Sequence, residues 1–454
     1  MFSYPSSCSV LSAVHYMPEN PTPSTSPPER FPWRCLIIPA VVSAVLFALM
    51  LAQGRETFDR VATVSDSGDY VSVAWGLVRD GVVPRNAVRT LGYPLYLAGC
   101  YILGGETYGN ALAVAVQLLL NLVMVPLAWS FLFSLSRNIS RKVAIAAVLC
   151  VWYAGLGFAT MLLSDFLAGF CFNVFLFGFC FRRTWWWATF AGVCLFIAVL
   201  TRPVFCLVFV FCPFLALFVR RFAPAIPWRQ VGAYCLFGLA ALGVNFVQDR
   251  YSEEVVGMRT SIKEYPVMLW NAVLVLHVDG FGEAARDDYV AVIVSRAGRP
   301  YETLTRREKE ETSRIVFREL IVAHPIPFGV HVVKRFGKSL VAPMDSLVLQ
   351  IHRLFENGQP LTNAVRFVLS LICLPLWLLA YIPGRRLLKE KTAYLIVFGI
   401  ITAYVLGITA LTAEGCGDRY RLPLIMSIIS VAALQIDSMI VARRERRSGS
   451  LQRP

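Results

Sequence analysis

Long apolar segments alternate with short polar segments along most of this 454-residue chain. A helix that crosses a bilayer needs about 20 mainly apolar residues, and about ten segments meet that requirement. We predict spans near residues 35 to 53, 108 to 134, 142 to 160, 162 to 181, 185 to 200, 203 to 219, 230 to 247, 361 to 383, 392 to 412 and 422 to 441. The pattern therefore predicts an all-α polytopic membrane protein.

The composition supports this class, because 57% of the residues are hydrophobic, 16% are charged and the mean hydropathy is +0.59. Soluble domains are about half apolar and one-quarter charged, so a soluble fold is excluded. The formal charge of +14 comes mainly from Lys and Arg clusters between apolar segments, so we predict no nucleic-acid partner. Most of the 12 cysteines lie in apolar segments, where a thiol packs as a small apolar group.

The basic residues of the short loops predict the orientation, since cytoplasmic loops retain positive charge. With the N-terminus inside, every basic cluster lies inside: Arg30 and Arg34; Arg137, Arg141 and Lys142; Arg182 and Arg183; Arg220, Arg221 and Arg229; Arg385, Arg386, Lys389 and Lys391; Arg443, Arg444, Arg446 and Arg447. We predict a multi-pass protein of the plasma membrane, which in bacteria is the inner membrane. Both termini are predicted to lie in the cytoplasm.

This topology divides the chain into regions. We predict a disordered cytoplasmic tail at 1–32, an N-terminal membrane domain at 33–247, a large external loop at 248–360, C-terminal membrane helices at 361–442 and a basic cytoplasmic tail at 443–454. The first external loop covers residues 54–107.

Short helices are predicted in both external loops. Apolar residues recur at helical spacing from Tyr70 to Val78 before Gly81, which predicts an interface helix, and a second helix from Pro94 stops at Gly104-Gly105. In the larger loop, Thr305 and Glu308 form a capping box for a polar helix that ends near His324. Residues 328 to 341 mix apolar and basic side chains, a pattern typical of an interface element.

Four polar motifs fall at the external face in this topology. They are Asp66-Ser67-Gly68-Asp69-Tyr70, Ser164-Asp165, Thr201-Arg202-Pro203 and the stretch from Glu414 to Arg421. Ionisable groups at membrane depth are functional candidates, because burying them in a bilayer is costly. A protein that serves only as a membrane anchor does not require acidic and guanidinium groups from separate sequence segments at the same membrane depth.

The order of these motifs resembles a known family. Together with Arg89-Thr90-Leu91-Gly92-Tyr93-Pro94-Leu95 and Asp418-Arg419-Tyr420-Arg421-Leu422-Pro423, they resemble the GT-C glycosyltransferases related to protein O-mannosyltransferases and to the lipid A aminoarabinose transferase. The resemblance covers most of the chain and implies a GT-C fold, a catalytic acid in the first external loop, a polyprenyl-phosphate sugar donor and inversion at the anomeric carbon. Leu91 and Asp165 depart from the family, where Pro and Glu are common.

The residue types suit that chemistry. A carboxylate can take the proton of an attacking hydroxyl, and we predict Asp66 as this base, with Asp69, Asp165 and Glu414 as supporting acids. Guanidinium groups bind the departing phosphate, and the candidates are Arg202, Arg419, Arg421 and Arg89. Tyr70, Trp75, Tyr93 and Tyr420 are candidate contacts to the sugar or the lipid.

Simpler interpretations stand beside these. Asp66 could instead be the N-cap of the interface helix. Asp165 also fits a helix start, where the dipole favours an acid. Arg202 and Arg421 also fit anchors that snorkel at the ends of spans. Glu414 also fits an ordinary solvated loop acid.

The sequence leaves several partners open. The acceptor can be a protein, a lipid or a polysaccharide of the cell envelope. No ligand spacing demands a metal or another cofactor, although the external acids leave room for a divalent cation. A lipid or solute transporter or flippase, and an assembly partner without activity, remain alternatives. The charges collect at one face and no internal repeat is evident, which favours the enzyme over a transporter.

Overall fold

The computed structural model describes residues 30–64, 67–82, 90–219, 226–256, 283–355, 359–412 and 418–450, which are called the described residues below. The chain divides into the compact units Met1–Arg30 and Phe31–Pro454, and every element below belongs to the second unit. Helices and turns make up the described residues, with no strand among them. The predicted all-α class is confirmed.

The described residues from 30 to 256 form nine α-helices. They are α1 Ile37–Ala52, α2 Arg55–Ala62, α3 Ser67–Asp80, α4 Gly92–Leu135, α5 Arg141–Ala159, α6 Ser164–Phe181, α7 Trp185–Thr201, α8 Val208–Val219 and α9 Trp228–Val256. Short 3-10 helices occupy Trp33–Leu36 and Pro203–Phe205.

The described residues from 283 to 450 form eight α-helices. They are α10 Glu283–Ala297, α11 Arg306–Ala323, α12 Pro325–Val341, α13 Ser346–Phe355, α14 Gln359–Tyr381, α15 Arg385–Glu390, α16 Thr392–Thr412 and α17 Ile425–Ser450. Two further 3-10 helices occupy Tyr301–Thr303 and Asp418–Leu424.

Eight helices in the described residues are long and apolar enough to cross a membrane. They are Trp33–Ala52, Gly92–Leu135, Arg141–Ala159, Ser164–Phe181, Trp228–Gln248, Asn363–Tyr381, Thr392–Leu411 and Arg421–Arg446. The other two predicted spans, 185 to 200 and 203 to 219, appear as shorter apolar helices, α7 with 17 residues and α8 with 12. The polytopic membrane architecture is confirmed, with fewer full-length spans than predicted.

The short helices of the first loop also appear. Helix α3 ends at Asp80, and Gly81 follows with a φ of +67°, a left-handed conformation that glycine adopts without strain. The predicted break at Gly104-Gly105 is present inside α4, where Gly105 has a φ of 63° and a ψ of −168°. The short helix and the following span therefore join through a kink and not through a loop.

The polar part of the larger loop folds as a helical hairpin. Thr305 Oγ1 accepts a hydrogen bond from Glu308 N at 3.3 Å, and Glu308 Oε2 accepts one from Thr305 N at 2.8 Å, which confirms the predicted capping box. Ile293, Leu304 and Val316 form a small apolar core between α10 and α11. At His324 and Pro325 the chain turns, and α12 is bent by 102° from the preceding helix.

Helix α6 lies at the centre of the bundle. Its glycines allow close packing, since a Cβ on Gly178 would lie 2.5 Å from Ala191 Cβ of α7. Asn173, halfway along α6, donates to Gly169 O at 2.8 Å and to Leu422 O at 2.9 Å. The 3-10 helix Asp418–Leu424 is thereby fixed against the middle of α6.

That contact corrects one expectation. The sequence predicted the stretch ending in Arg421 at the outer end of a span, whereas Leu422 packs on Gly169 and accepts a hydrogen bond from Asn173, four and eight residues after Asp165 in α6. Along the helix axis these positions lie about 6 and 12 Å from Asp165. The 3-10 turn and the Asn173 side chain cause the difference, because together they carry this stretch into the interior of the bundle.

The two ends of α6 mark two ends of the bundle. The basic end holds residues 136–141, 182–183 and 385–391, and its contacts join Arg182 O to Gln230 Nε2 (2.6 Å), Ser140 N to Asp437 Oδ1 (3.0 Å) and Gly384 N to Gln435 Oε1 (3.0 Å). The motif end, at the first turn of α6, joins Leu162 N to Ala62 O at 2.8 Å. The basic loops and the Ser164-Asp165 motif thus lie at opposite ends.

Candidate active site

An ion pair joins the start of α6 to the end of α7. Asp165 lies in the first turn of α6, and Arg202 directly follows Thr201, the last residue of α7. Arg202 NH2 lies 2.5 Å from Asp165 Oδ1, and the side chains are 22% and 2% exposed respectively. The helix dipole favours an acid at this position, and the guanidinium neutralises a carboxylate that is otherwise buried.

Ser164 connects this pair to the first loop. Its Oγ accepts a hydrogen bond from Arg202 Nε at 3.3 Å and lies 2.9 Å from the hydroxyl of Tyr70 on α3. The ring of Tyr70 packs edge-on against Tyr93 of α4, with centroids 5.2 Å apart. Three elements distant in sequence therefore meet at one buried serine.

The start of α4 is fixed against the end of α7. Thr90 Oγ1 donates to Thr201 O at 3.2 Å, and Leu91 N donates to Gln248 Oε1 of α9 at 3.1 Å. A Cβ on Gly92 would lie 2.5 Å from the carbonyl carbon of Leu200, so only glycine fits this crossing. The segment that carries Tyr93 is thus fixed beside Arg202.

Several buried polar atoms here have no hydrogen-bond partner among the described residues. They are Asp165 Oδ2, the hydroxyl of Thr201 and the hydroxyl of Tyr93. Buried polar groups are normally hydrogen-bonded, because leaving one unpaired costs about 1–3 kcal/mol. All three atoms are inaccessible to solvent in this conformation, so a ligand would reach them only after a local rearrangement.

Two other predicted residues lie on α3. Asp69 is exposed in the first turn of α3. Trp75 stacks on Tyr101 with centroids 4.4 Å apart and an interplanar angle of 8°, and the Arg79 guanidinium lies 4.9 Å from its ring centroid. The structure therefore brings together Tyr70, Tyr93, Asp165 and Arg202, and gives Trp75 a packing role against α4.

Arg421 has a different environment from Arg202. Its guanidinium donates to the carbonyls of Leu340 and Ala342 at the end of α12, the first at 3.2 Å, and lies 4.3 Å from the Trp377 ring centroid. The residue is 1% exposed. These contacts hold the end of α12, and the role of Arg421 in binding the donor phosphate stays a prediction.

The remaining predicted residues lie wholly or partly outside the described residues. Asp66, Arg89 and Glu414 lie outside the described residues, as do the side chains of Arg419 and Tyr420. Asp66 directly precedes Ser67, which begins α3 and is buried, three residues before Tyr70. In the part of the chain that the structure describes, no group of three or more His, Cys, Asp or Glu side chains could hold a metal ion.

The sequence did not predict the role of Gln248, which holds the start of α4. It also did not predict the contact between the Tyr70 and Ser164 hydroxyls. Gln248 gave a weak signal as a polar residue at the end of an apolar segment. The hydroxyl contact gave none, because it depends on packing between residues 94 positions apart.

Comparison with known proteins adds no relative. No family model matches the chain, and no curated protein matches it.

Proposed function

We propose that the protein is a membrane glycosyltransferase that moves a sugar from a polyprenyl-phosphate donor to an acceptor hydroxyl or amine, with inversion at the anomeric carbon. The observation that carries this proposal is the Asp165–Arg202 pair at the motif end. Arg202 keeps 22% of its side chain exposed while Asp165 holds its guanidinium, so a phosphate finds a fixed cation there.

Arg202 is the proposed donor-phosphate ligand. The leaving polyprenyl phosphate gains negative charge as its bond to the sugar breaks, and a fixed guanidinium stabilises that charge. Asp165 and Ser164 hold the guanidinium in place before the donor arrives, which lowers the cost of ordering it. Arg89, Arg419 and Arg421 are further proposed phosphate ligands.

Asp66 is the proposed general base. The acceptor oxygen or nitrogen attacks C1 of the sugar and forms the new bond, and its proton passes to the Asp66 carboxylate. The bond between C1 and the phosphate oxygen breaks, and its electron pair leaves with the polyprenyl phosphate. Support for this assignment comes from the position of Asp66 in the sequence, immediately before the helix that carries Tyr70.

We further propose that the motif end faces outward, in a bacterial inner membrane. Cytoplasmic loops retain Lys and Arg, and the basic clusters lie at the opposite end of the bundle. Nucleotide sugars are made in the cytoplasm, so an outward site needs a sugar already carried across on a lipid phosphate.

Purified protein in lipid vesicles, given polyprenyl-phosphate hexoses and pentoses with a radiolabelled sugar, tests this proposal. We expect release of free polyprenyl phosphate together with transfer of the label to an acceptor, and the Arg202→Gln variant should lose both. Accumulation of an unchanged lipid or solute across the vesicle membrane, with the donor intact, would instead establish a transporter or flippase.

A further inference from the structure

Helix α12 and the preceding α11 do not form one broken span. Glu311, Arg314, Arg318 and Glu319 are all exposed on α11, and Glu319 pairs with Arg296 at 2.8 Å. Exposed ionisable residues of that number are too costly in the hydrocarbon core. The bend of 102° therefore separates the solvated α10–α11 hairpin from α12, whose surroundings are different.

The C-terminal end of α12 lies deep in the bundle. Its Leu340 and Ala342 carbonyls accept hydrogen bonds from Arg421, whose neighbour Leu422 is bonded to Asn173 at the midpoint of α6. Trp377 Nε1 of α14 also donates to Ala342 O at 2.9 Å. Helix α12 thus enters the bundle from its exposed N-terminal residues and stops near mid-depth.

One face of α12 packs on the bundle. Arg335 and Ser339 are 5% and 2% exposed, and Phe336 and Leu340 contact the main apolar core. The basic end of the Arg421 side chain meets the C-terminal carbonyls, an arrangement that the helix dipole favours. This face fixes the helix and defines which side chains point away from the protein.

The opposite face carries an apolar stripe. Ile326, Val330, Val333 and Val341 recur at helical spacing and are 77%, 48%, 69% and 42% exposed. Lys334 and Lys338 are exposed along one border of this stripe, and the helix contains no carboxylate. Side chains on a helix lean toward its N-terminus, so both ammonium groups point toward the N-terminal end of α12.

We propose that α12 is a re-entrant helix whose outward face binds an anionic phospholipid of the surrounding leaflet. The acyl chains lie along the stripe from Ile326 to Val341, and the head-group phosphate pairs with Lys334 and Lys338. The apolar stripe suits acyl chains, and the two lysines, on a helix without carboxylates, match a lipid phosphate in charge.

Photo-crosslinking tests the occupant. A benzophenone amino acid replaces Val333 in the full chain, and the protein is placed in nanodiscs with equal amounts of phosphatidylglycerol and phosphatidylcholine. We expect lipid adducts enriched in phosphatidylglycerol, whereas the same probe at Glu319 on α11 should give none. Adducts to protein only, or equal yields of the two lipids, would overturn the proposal.

Lysine variants test the charge pairing. Lys334→Gln with Lys338→Gln should reduce the phosphatidylglycerol preference by about fivefold for each lysine, the factor that about 1 kcal/mol per basic residue gives near an anionic surface. The matched control, Lys142→Gln with Lys389→Gln, removes two exposed lysines from the basic end and should keep the preference. An unchanged preference in the first variant would contradict a role for these lysines.

Depth distinguishes a re-entrant helix from one lying flat on the membrane. Fragmentation of the lipid adducts locates the crosslinked acyl carbon for probes at Ile326 and at Val341. We expect Val341 to react farther down the acyl chain than Ile326. Reaction at the same depth would mean that α12 lies flat, and the re-entrant assignment would be wrong.

Discussion

At the scale of single residues, the Asp165–Arg202 pair is where stability and proposed function coincide. A carboxylate that is 2% exposed depends on its guanidinium partner, because an unpaired buried charge is strongly destabilising. The partner also retains some exposure, so the pair can exchange contacts with an anionic ligand. An ordinary surface ion pair lacks the first of these properties, because both of its charges remain in contact with water.

Removal of this guanidinium should therefore lower both activity and stability. We expect Arg202→Gln to destabilise the protein by about 2–4 kcal/mol, reduced from the fully buried value by the exposure of Arg202. The control is Arg386→Gln, which breaks an exposed pair with Glu390 and should cost less than about 1 kcal/mol. Thermal unfolding in detergent measures the difference, and equal shifts in the two variants would refute it.

Gly92 provides a second test at this scale. A Cβ there would meet the backbone of Leu200 and Thr201 at 2.5–2.6 Å, so Gly92→Ala must displace the start of α4. We expect a loss of about 1–3 kcal/mol in unfolding free energy and lower donor turnover. Gly99→Ala in the same helix has open space around it and serves as control. If both alanine variants behave alike, the close crossing is not important.

At the scale of elements, features that depend on neighbouring residues were predicted correctly. Features that depend on contacts between residues distant in sequence were not. The capping box of α11 and the break at Gly105 depend on residues within a few positions, so sequence alone located them. The depth of Arg421 depends on Asn173 and Trp377, which are distant in sequence, and periodicity carries no information about such contacts. For the same reason, the sequence did not predict the hydrogen bond between the Tyr70 and Ser164 hydroxyls.

The hairpin of α10 and α11 should respond to acid. Hydrogen bonds from Thr305, and then from Arg299, hold the pKa of Glu308 at about 2, below its usual 4.5. A lowered pKa in the folded state stabilises above the unfolded value, and this contribution is lost as the pH falls from about 4.5 through about 2. Hydrogen exchange of residues 299 to 312, corrected for intrinsic rates, should show more frequent opening at low pH.

The Glu308→Gln variant is the control for this acid response. It removes the titrating carboxylate and should make the opening of the hairpin nearly independent of pH over the same range. A wild-type hairpin whose corrected exchange is the same at both ends of that range would contradict the assignment of the capping contact.

At the scale of the whole molecule, the bundle separates basic loops from the motifs. Sequence predicted that separation because charge bias in short loops is a local property. It could not predict that α7 and α8 are shorter than the other apolar helices, or that the end of α12 contacts the bundle, since both depend on packing. The motif end combines Tyr70, Tyr93, Asp165 and Arg202 from helices that no local pattern connects.

Reporter fusions test the proposed orientation. A fluorescent protein fused after residue 454 should fluoresce, because we place the C-terminus in the cytoplasm. Alkaline phosphatase inserted at the exposed turn near Gly298 should be active, because we place the hairpin outside. The opposite outcome at both positions would invert the topology and remove the argument for a lipid-carried donor.

The central claim is that an acid before α3 and the arginine after α7 act together on a lipid-linked sugar. The most direct measurement is the single-turnover rate of polyprenyl-phosphate release by Asp66→Asn, compared with Asp80→Asn at the exposed C-terminal end of α3. We predict a loss of about 10²- to 10⁴-fold for Asp66→Asn, the usual contribution of a general base, and a normal rate for Asp80→Asn. Release at the wild-type rate by folded, inserted Asp66→Asn would contradict the account.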